Sequence, residues 1–150
     1  MDPYENLIKE LSDYLGIIIT PDHRQSCLLR FPEHDIALQI DLDTNADQIL
    51  IGCEIGNVPP GIYRERIFRT ALRTNALTNT RIGTLAYSER KQTLILFKFL
   101  ILNALTGEIL YQHLQDFVEH ATIWKESLKN GMVPLLEESA SSSGSGMFGL

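Results

Sequence analysis

Residues 144–149 match the dinucleotide-binding pattern G-x-G-x-x-G, with Gly144, Gly146 and Gly149 as the three glycines. The pattern binds a pyrophosphate when it follows a strand and begins a helix, because the helix N-terminus supplies N–H donors. Here a Ser- and Gly-rich stretch precedes the pattern instead of a strand-like run. We therefore interpret the match as a consequence of composition, and we predict no nucleotide cofactor.

A second candidate is an acidic stretch with the alternate-residue spacing of a calcium-binding loop. Its oxygen-bearing side chains are Asp41, Asp43, Asn45 and Asp47. An EF-hand loop needs glycine at the sixth position and a bidentate glutamate at the twelfth. The sequence has Ala46 and Gly52 at these positions, and the flanking segments resemble strands rather than helices. The stretch therefore predicts a solvated acidic hairpin.

The histidines and cysteines do not form a metal-binding motif, since neither H-E-x-x-H nor C-x-x-C occurs. His113 and His120 are seven residues apart on one predicted helix, but no third ligand accompanies them. Cys27 and Cys53 lie in strand-like runs and are predicted to be buried, reduced thiols. We expect no metal, no cofactor and no enzyme activity; an enzyme with a site assembled from distant residues is the open alternative.

One predicted helix concentrates positive charge, through Arg64, Arg66, Arg69 and Arg73. Such a helix could bind phosphates, and Tyr63 or Phe68 could stack on bases. These aromatic residues fall on the apolar stripe of the helix, however, and are predicted to be core. A nucleic-acid-associated regulatory protein is therefore the alternative function, and we expect no nucleic-acid partner.

Length and charge limit the class of protein further. The chain has 150 residues, the size of one domain, and a net charge of −6 at pH 7. A negative net charge argues against a nucleic-acid coat or a membrane-surface protein. The longest apolar run, residues 94–102, is too short to cross a bilayer, and the acidic N-terminus does not resemble a secretory signal. We expect a cytoplasmic protein without membrane insertion.

Hydrophobic spacing divides about the first 130 residues into helices and strands. Asp2 is the predicted N-cap of the first helix and Gly16 its left-handed stop, and Thr106 is the predicted N-cap of the last helix. Between them the spacing predicts strands Ser26–Phe31, 35–42 and 48–55, a helix Ile62–Leu77, and strands 81–87 and 93–102. The order α-β-β-β-α-β-β-α predicts an α+β domain, with helices packed on one face of a twisted antiparallel sheet. Residues 131–150 are predicted to be a flexible Ser/Gly-rich tail.

The strand at 93–102 is apolar on both faces. Ile95, Phe97, Phe99 and Ile101 point one way, and the leucines at 94, 96, 100 and 102 point the other way together with Lys98. A strand of this kind must be covered twice, by the domain's own core and by something else.

The residues from Leu72 to Tyr87 carry a resemblance to a known family. A helix end with leucine and asparagine at Leu72 and Asn75 is followed by a strand reading Gly83-Thr84-Leu85-Ala86-Tyr87, then by a turn and an apolar strand. The last helix adds an aromatic–valine pair, an alanine and a tryptophan, at Phe117, Val118, Ala121 and Trp124. With size, acidity and element order, this resembles the class I type III secretion chaperones, the Tir chaperone family, over about residues 2–130.

The resemblance implies a homodimeric cytoplasmic chaperone, which holds the N-terminal segment of a secreted effector in a non-globular state for export. The resemblance also adds the secretion ATPase and a second chaperone as candidate partners. Effector-binding residues carried over from the family are Leu7, Ile8, Leu11, Leu28, Leu29, Phe31, Ile36, Leu38 and Ile40. Dimer-interface residues carried over are Ile62, Arg66, Arg69, Leu72, Arg73, Ala76, Ile82, Leu85 and Tyr87. The turn Glu89-Arg90-Lys91 departs from the family pattern because it lacks the usual glycine.

Overall fold

The computed structural model describes residues 2–77 and 82–135, and it confirms the predicted order of helices and strands. The elements are α1 Pro3–Leu15, β1 Ser26–Phe31, β2 Ile36–Asp43, β3 Gln48–Asn57, α2 Ile62–Leu77, β4 Thr84–Ser88, β5 Thr93–Ile101 and α3 Gly107–Lys129. A short 3-10 helix, Leu102–Ala104, joins β5 to α3. Of the predicted tail 131–150, residues 136–150, with the G-x-G-x-x-G match, lie outside the described residues.

The five strands form one antiparallel sheet in the order β1-β2-β3-β5-β4. Short hairpins connect β1 to β2 and β2 to β3. The chain then passes through α2 to β4 at the far edge, and β5 returns between β3 and β4. As a result β5 is an inner strand that pairs on both sides.

The two faces of the sheet have different surroundings. One face, here called the covered face, packs against α1 and α3 and contains the core. Its buried side chains alternate along the strands and include Leu29, Leu38, Ile40, Ile49, Ile51, Leu94 and Leu96. The opposite face, here called the open face, has no described helix packed on it. The prediction of helices on one face is therefore confirmed.

The ends of the two packing helices follow the predicted capping residues. The Asp2 side chain accepts a hydrogen bond from the Tyr4 N–H, and Gly16 ends α1 at φ 68°. The Thr106 side chain accepts from the Ile109 N–H at the start of α3. These bonds satisfy backbone N–H groups that have no partner within the helix. Both helices thereby begin after the N-cap residues that the sequence predicts.

Helix α2 lies beside β4, at the edge of the sheet. Asn75 donates from Nδ2 to the Leu85 carbonyl oxygen at 2.9 Å, and its Oδ1 accepts from the Leu85 N–H at 2.8 Å. One side-chain amide therefore pairs with the outer edge of β4 as a neighbouring strand would. The rings of Phe68 and Tyr87 pack edge to face beside it, with centroids 4.7 Å apart.

Several strand boundaries differ from the predicted ones. Strand β3 continues to Asn57, past the predicted end at 55, with an irregularity between Glu54 and Gly56. Strand β4 begins at Thr84, later than the predicted start at 81, a residue outside the described part of the chain. In the turn without glycine, Gln92 adopts the left-handed conformation at φ 52°. Glutamine thus occupies the position for which glycine is usually favoured.

No helix in the described part of the chain is both long enough and apolar enough to cross a membrane.

Candidate functional site: the open face of the sheet

The apolar side of the open face lies along β5. Alternation sends Ile95, Phe97, Phe99 and Ile101 to this face, while Leu94, Leu96 and Leu100 are buried in the core. Phe99 is 49% exposed, and its ring meets that of Phe97 edge to face at a centroid distance of 6.0 Å. This confirms that β5 has two apolar faces, and only one of them is covered by described residues of the chain.

Gly52 separates the aromatic side chains of β5 from the polar strands. In the sheet register Gly52 pairs with Gln39 on one side and Phe97 on the other. A Cβ placed on Gly52 would meet no atom within 4 Å, so the space above this residue is empty. The result is a groove of about 1030 Å³, lined on its apolar side by Leu50, Phe97 and Phe99.

The polar side of the groove is a hydrogen-bonded cluster on β1 and β2. The Ser26 hydroxyl donates to Oδ1 of Asp41, and Gln39 Nε2 donates to the same oxygen at 3.0 Å. Two ion pairs mark the rim, Lys91–Glu54 at 2.7 Å and Lys125–Asp35 at 3.3 Å between nitrogen and oxygen. The groove therefore offers a wide apolar floor with carboxylates at its border, which suits a long, amphipathic ligand.

The predicted effector-binding residues fall into two groups. Leu28 is exposed on the open face, and Phe31 lies half-buried at the end of the groove. The other seven are in the core, each at most 3% exposed: Leu7, Ile8, Leu11, Leu29, Ile36, Leu38 and Ile40. The structure thus brings Leu28 and Phe31 to the groove, and the buried Ile36 also lines it. The remaining residues lie beneath the groove and in α1.

Sequence reasoning did not select Leu50, Gly52, Ile95, Phe97 and Phe99, which line the groove. A signal for the β5 residues was present, because the strand is apolar on both faces. No comparable signal marked Gly52, because its importance comes from the residues on β2 and β5 that pair with it.

The predicted dimer residues also separate by exposure. Six lie on the outer side of α2 and are exposed: Ile62, Arg66, Arg69, Leu72, Arg73 and Ala76. Ile62 and Leu72 are 76% and 70% exposed, which is high for aliphatic side chains. Ile82 and Tyr87 are half-buried, and Leu85 is in the core. The described chain therefore presents an apolar and basic helix face to its surroundings.

Arg64 differs from the other arginines of α2. Its Nε donates to the Val58 carbonyl oxygen at 3.1 Å, and its guanidinium lies over the Tyr87 ring, 5.3 Å from the centroid. It also contacts Oε1 of Gln92 at 3.2 Å. Arg64 is therefore engaged in holding the β4–β5 turn against α2.

The remaining titratable groups of interest belong to the layer between α3 and the sheet. Lys98 Nζ lies 3.3 Å from Nδ1 of His113, and burial followed by the nearby ammonium lowers the pKa of His113. Burial also lowers the pKa of His120. Within residues 2–77 and 82–135, no group of three His, Cys, Asp or Glu side chains could hold a metal ion. Both histidines are half-buried residues of α3.

The two cysteines are buried and unpaired, as predicted. The Tyr4 hydroxyl lies 3.5 Å from Cys27 Sγ and donates to the Gln25 carbonyl oxygen at 2.7 Å. Burial raises the pKa of both thiols, that of Cys53 to about 11. A thiol held in its protonated form is a poor nucleophile, so neither residue has the character of a catalytic cysteine.

A smaller apolar surface lies at the C-terminal end of α1. Ile17 and Ile18 are exposed there, beside a groove of about 310 Å³ that also includes Ile19 and Pro21. The Ser12 hydroxyl accepts from the Ile19 N–H at 3.3 Å and holds this segment against the helix. The surface is far smaller than the groove of the open face, which makes the open face the main candidate site.

Comparison with known proteins gives a family and a fold. The sequence model of the Tir chaperone protein (CesT) family matches residues 6–125. No curated protein sequence matches the chain.

Three solved structures are similar to this chain. The HopA1–SchA chaperone–effector complex has a TM-score of 0.68 at 17% identity, covering 83% of this chain and 94% of that chain. The Yersinia pestis type III secretion chaperone SycH, in complex with a fragment of YscM2, has a TM-score of 0.64 at 16% identity. That match covers 79% of this chain and 96% of that chain. The ExoU–SpcU complex of the Pseudomonas aeruginosa type III secretion system has a TM-score of 0.65 at 17% identity, and the match covers 82% of this chain and 98% of that chain. At these identities the similarity shows a shared fold.

Proposed function

Because the chain belongs to the Tir chaperone protein (CesT) family, we propose that it binds the N-terminal region of a type III secreted effector and keeps that region non-globular for export. The single observation that carries the proposal is the open face. In an otherwise well-packed domain, the second apolar face of β5 is left without a covering element from the described residues. The structural relatives include chaperone–effector complexes, which supports a protein segment as the occupant.

The shape of the groove favours an extended or loosely folded segment over a compact ligand. The groove crosses several strands and is wide open, so a bound chain can contact many side chains at once. Binding that orders a flexible chain needs this kind of large surface, because the ordering entropy must be offset over many contacts. The free edge of β1 offers a second mode, in which the client adds a strand to the sheet.

The predicted effector-binding residues take unequal roles in this proposal. Leu28 and Phe31 contact the client directly, together with Leu50, Ile95, Phe97 and Phe99. The seven buried members support the sheet from its covered face. Neither role requires catalysis, a metal or a cofactor.

We place the homodimer interface on the exposed side of α2. Ile62 and Leu72 supply its apolar contacts, and the aliphatic stems of Arg66, Arg69 and Arg73 on the same side of α2 add to them while their guanidinium groups stay in water. A symmetric pair of helices would cover these aliphatic side chains, which are exposed in the single chain. The interface lies beside β4, so the β1–β3 part of the open face stays free for the client. A bacterial cytoplasmic location agrees with this role.

The proposal is tested by isolating the protein with its client from the bacterial cytosol and mapping the bound region by limited proteolysis. We expect a secreted protein protected over its N-terminal region. The variant Phe99→Thr should capture at least tenfold less of it. The exposed half of a phenylalanine, about 100 Å² at about 25 cal/mol per Å², contributes about 2.5 kcal/mol when buried. Threonine retains the strand propensity.

Ile123→Thr is the matched control, because Ile123 is also 49% exposed but lies on α3, away from the open face. It should capture the client at the wild-type level. Equal capture by wild type and Phe99→Thr would contradict the assignment of the open face. Isolation of nucleic acid without a secreted protein would contradict the function itself.

A further inference from the structure

We infer that the space above Gly52 is a side-chain pocket that selects clients with a bulky apolar residue two positions from a lysine or arginine. The inference rests on the proposed function, because it takes the client to be a polypeptide lying on the open face. It assigns specificity to two features, the absence of a side chain at Gly52 and the carboxylate of Asp41.

The backbone at residue 52 does not require glycine. Its φ is not positive, unlike that of Gly16, Gly61 or Gly131, and the residue pairs regularly with both neighbouring strands. A Cβ there would meet nothing within 4 Å. Glycine at this position therefore creates space rather than conformational freedom, in the middle of a sheet where a side chain would otherwise fill the groove.

The pocket above Gly52 has apolar neighbours on one side. Phe97 pairs directly with Gly52, Leu50 is the next residue of β3 on the same face, and Phe99 pairs with Leu50. A leucine, methionine or phenylalanine of the client would contact these side chains and lose its exposure to water. Glu54 is the same-face neighbour of Gly52 on the other side, and its carboxylate is already paired with Lys91. A charged residue of the client would lose hydration beside Phe97 without a free ionic partner, so the pocket discriminates against it.

Asp41 provides the second feature. Its carboxylate accepts hydrogen bonds from the neutral groups of Ser26 and Gln39, and it forms no ion pair within residues 2–77 and 82–135. The other two acidic residues of the groove differ, because Glu54 pairs with Lys91 and Asp35 with Lys125. Of these three carboxylates, Asp41 has the greatest capacity to attract a cation from the client.

The spacing follows from the sheet register. Asp41 pairs with Leu50, so Gly52 is its diagonal neighbour, about 7–8 Å away. In an extended chain, residues i and i+2 point to the same side and are about 7 Å apart. A client can therefore place an apolar side chain above Gly52 and a basic one at Asp41 from positions i and i+2. Arg30 lines the opposite end of the groove and disfavours a basic residue there, so the basic residue of the client lies on the Asp41 side of the pocket.

A random 12-residue peptide library displayed on phage tests the inference, with the purified full chain as bait. Wild type should enrich peptides in which a bulky apolar residue lies two positions from Lys or Arg. The variant Gly52→Leu should lose the apolar preference and bind the best selected peptide at least tenfold more weakly. Asp41→Asn should keep the apolar preference, lose the basic one, and bind about threefold more weakly.

Gln48→Leu is the matched control, because residue 48 lies on the same strand and face as Gly52 but outside the groove. It should select the same peptides as wild type. Thermal unfolding of Gly52→Leu should match or exceed that of wild type, since the added side chain meets no atom near its Cβ. An intact Gly52→Leu with unchanged preferences would overturn the inference, as would wild-type selection without the spaced pair, or no selection at all. In each of these cases, client capture that is still sensitive to Phe99→Thr would leave the chaperone function standing.

Discussion

Among the single residues, several adopt a conformation that glycine usually adopts, or make hydrogen bonds that a neighbouring strand usually makes. Four residues that are not glycine adopt positive φ, each directly before a strand: Gln25, Asp35, Asp47 and Gln92. Two of them are glutamines, which sequence rules do not associate with left-handed turns as they do Asn, Asp and Gly. Asn75 goes further, because its side-chain amide replaces a strand at the edge of β4.

Replacing Asn75 by alanine tests this pairing through the sign of the stability change. Alanine favours helix over asparagine by several tenths of a kcal/mol, so without the pairing the variant would be more stable. Loss of the two hydrogen bonds leaves the N–H and C=O of Leu85 unpaired, and we expect a net destabilisation of about 1–3 kcal/mol. Urea unfolding followed by the fluorescence of buried Trp124 measures it.

The control for this measurement is Asn103→Ala, at an exposed asparagine in the 3-10 helix. It should leave the free energy of unfolding within about 0.5 kcal/mol of wild type, as surface substitutions usually do. A stabilised Asn75→Ala variant would mean that the edge of β4 does not depend on this side chain.

At the scale of elements, the packing of α1 on α3 fixes the layer that covers the sheet. The two helices meet where α3 begins, at Gly107. A Cβ on Gly107 would lie against the Glu10 Cβ and 2.9 Å from the Glu10 carbonyl carbon in the backbone of α1. The close approach of the helices therefore requires the absence of a side chain at Gly107.

The variant Gly107→Ala should be destabilised by about 1–3 kcal/mol, because a contact with backbone cannot be relieved by a rotamer change and the helices must separate. Gly52→Ala is the natural comparison, since the same atom is added where nothing lies within 4 Å. That variant should be unchanged or more stable by roughly 0.5–1 kcal/mol, because glycine weakens a strand interior. Chemical denaturation measures the free energy of unfolding of both variants. An equal loss of stability in the two would refute the close contact at Gly107.

At the scale of the whole molecule, charge and apolar surface are unevenly distributed. Residues 61–105 carry eight Lys and Arg against two Asp and Glu, so the rest of the chain carries five against seventeen. The basic part contains α2, with its exposed Ile62 and Leu72, and the acidic part contains the β1–β3 end of the open face. The open face and the exposed side of α2 thus differ in electrostatic character, which suits two different partners.

The variant Leu72→Ser tests the proposed homodimer without changing charge. In a symmetric interface the substitution acts twice, and burial of a leucine contributes about 1.5–3 kcal/mol, so the dimer dissociation constant should rise at least a hundredfold. Sedimentation equilibrium at micromolar concentration measures the mass. Ile18→Ser, at a residue 93% exposed beyond the end of α1, should leave the dimer intact. A monomeric wild type, or an unaffected Leu72→Ser dimer, would contradict the proposed interface.

The local order of the chain was predictable from its sequence. Apolar spacing located the elements, and Asp2, Gly16 and Thr106 marked helix ends, because these signals depend on neighbours within a few residues. Alternation along β5 also separated its two faces correctly. The family resemblance, carried by residues such as Leu72, Asn75 and Trp124, agrees with the family match over residues 6–125.

Tertiary structure alone decided which apolar residues are exposed. Leu28 and Leu29 are adjacent and chemically identical, yet one lies on the open face and the other in the core, because α1 and α3 cover a single face of the sheet. The insertion of β5 between β3 and β4 brings Phe97 beside Gly52, residues 45 positions apart. Periodicity shows which residues of a strand share a face. It does not show which strands pair with it or which elements pack on each face. The groove is a product of such long-range pairings, so the sequence could supply its side chains and not their arrangement.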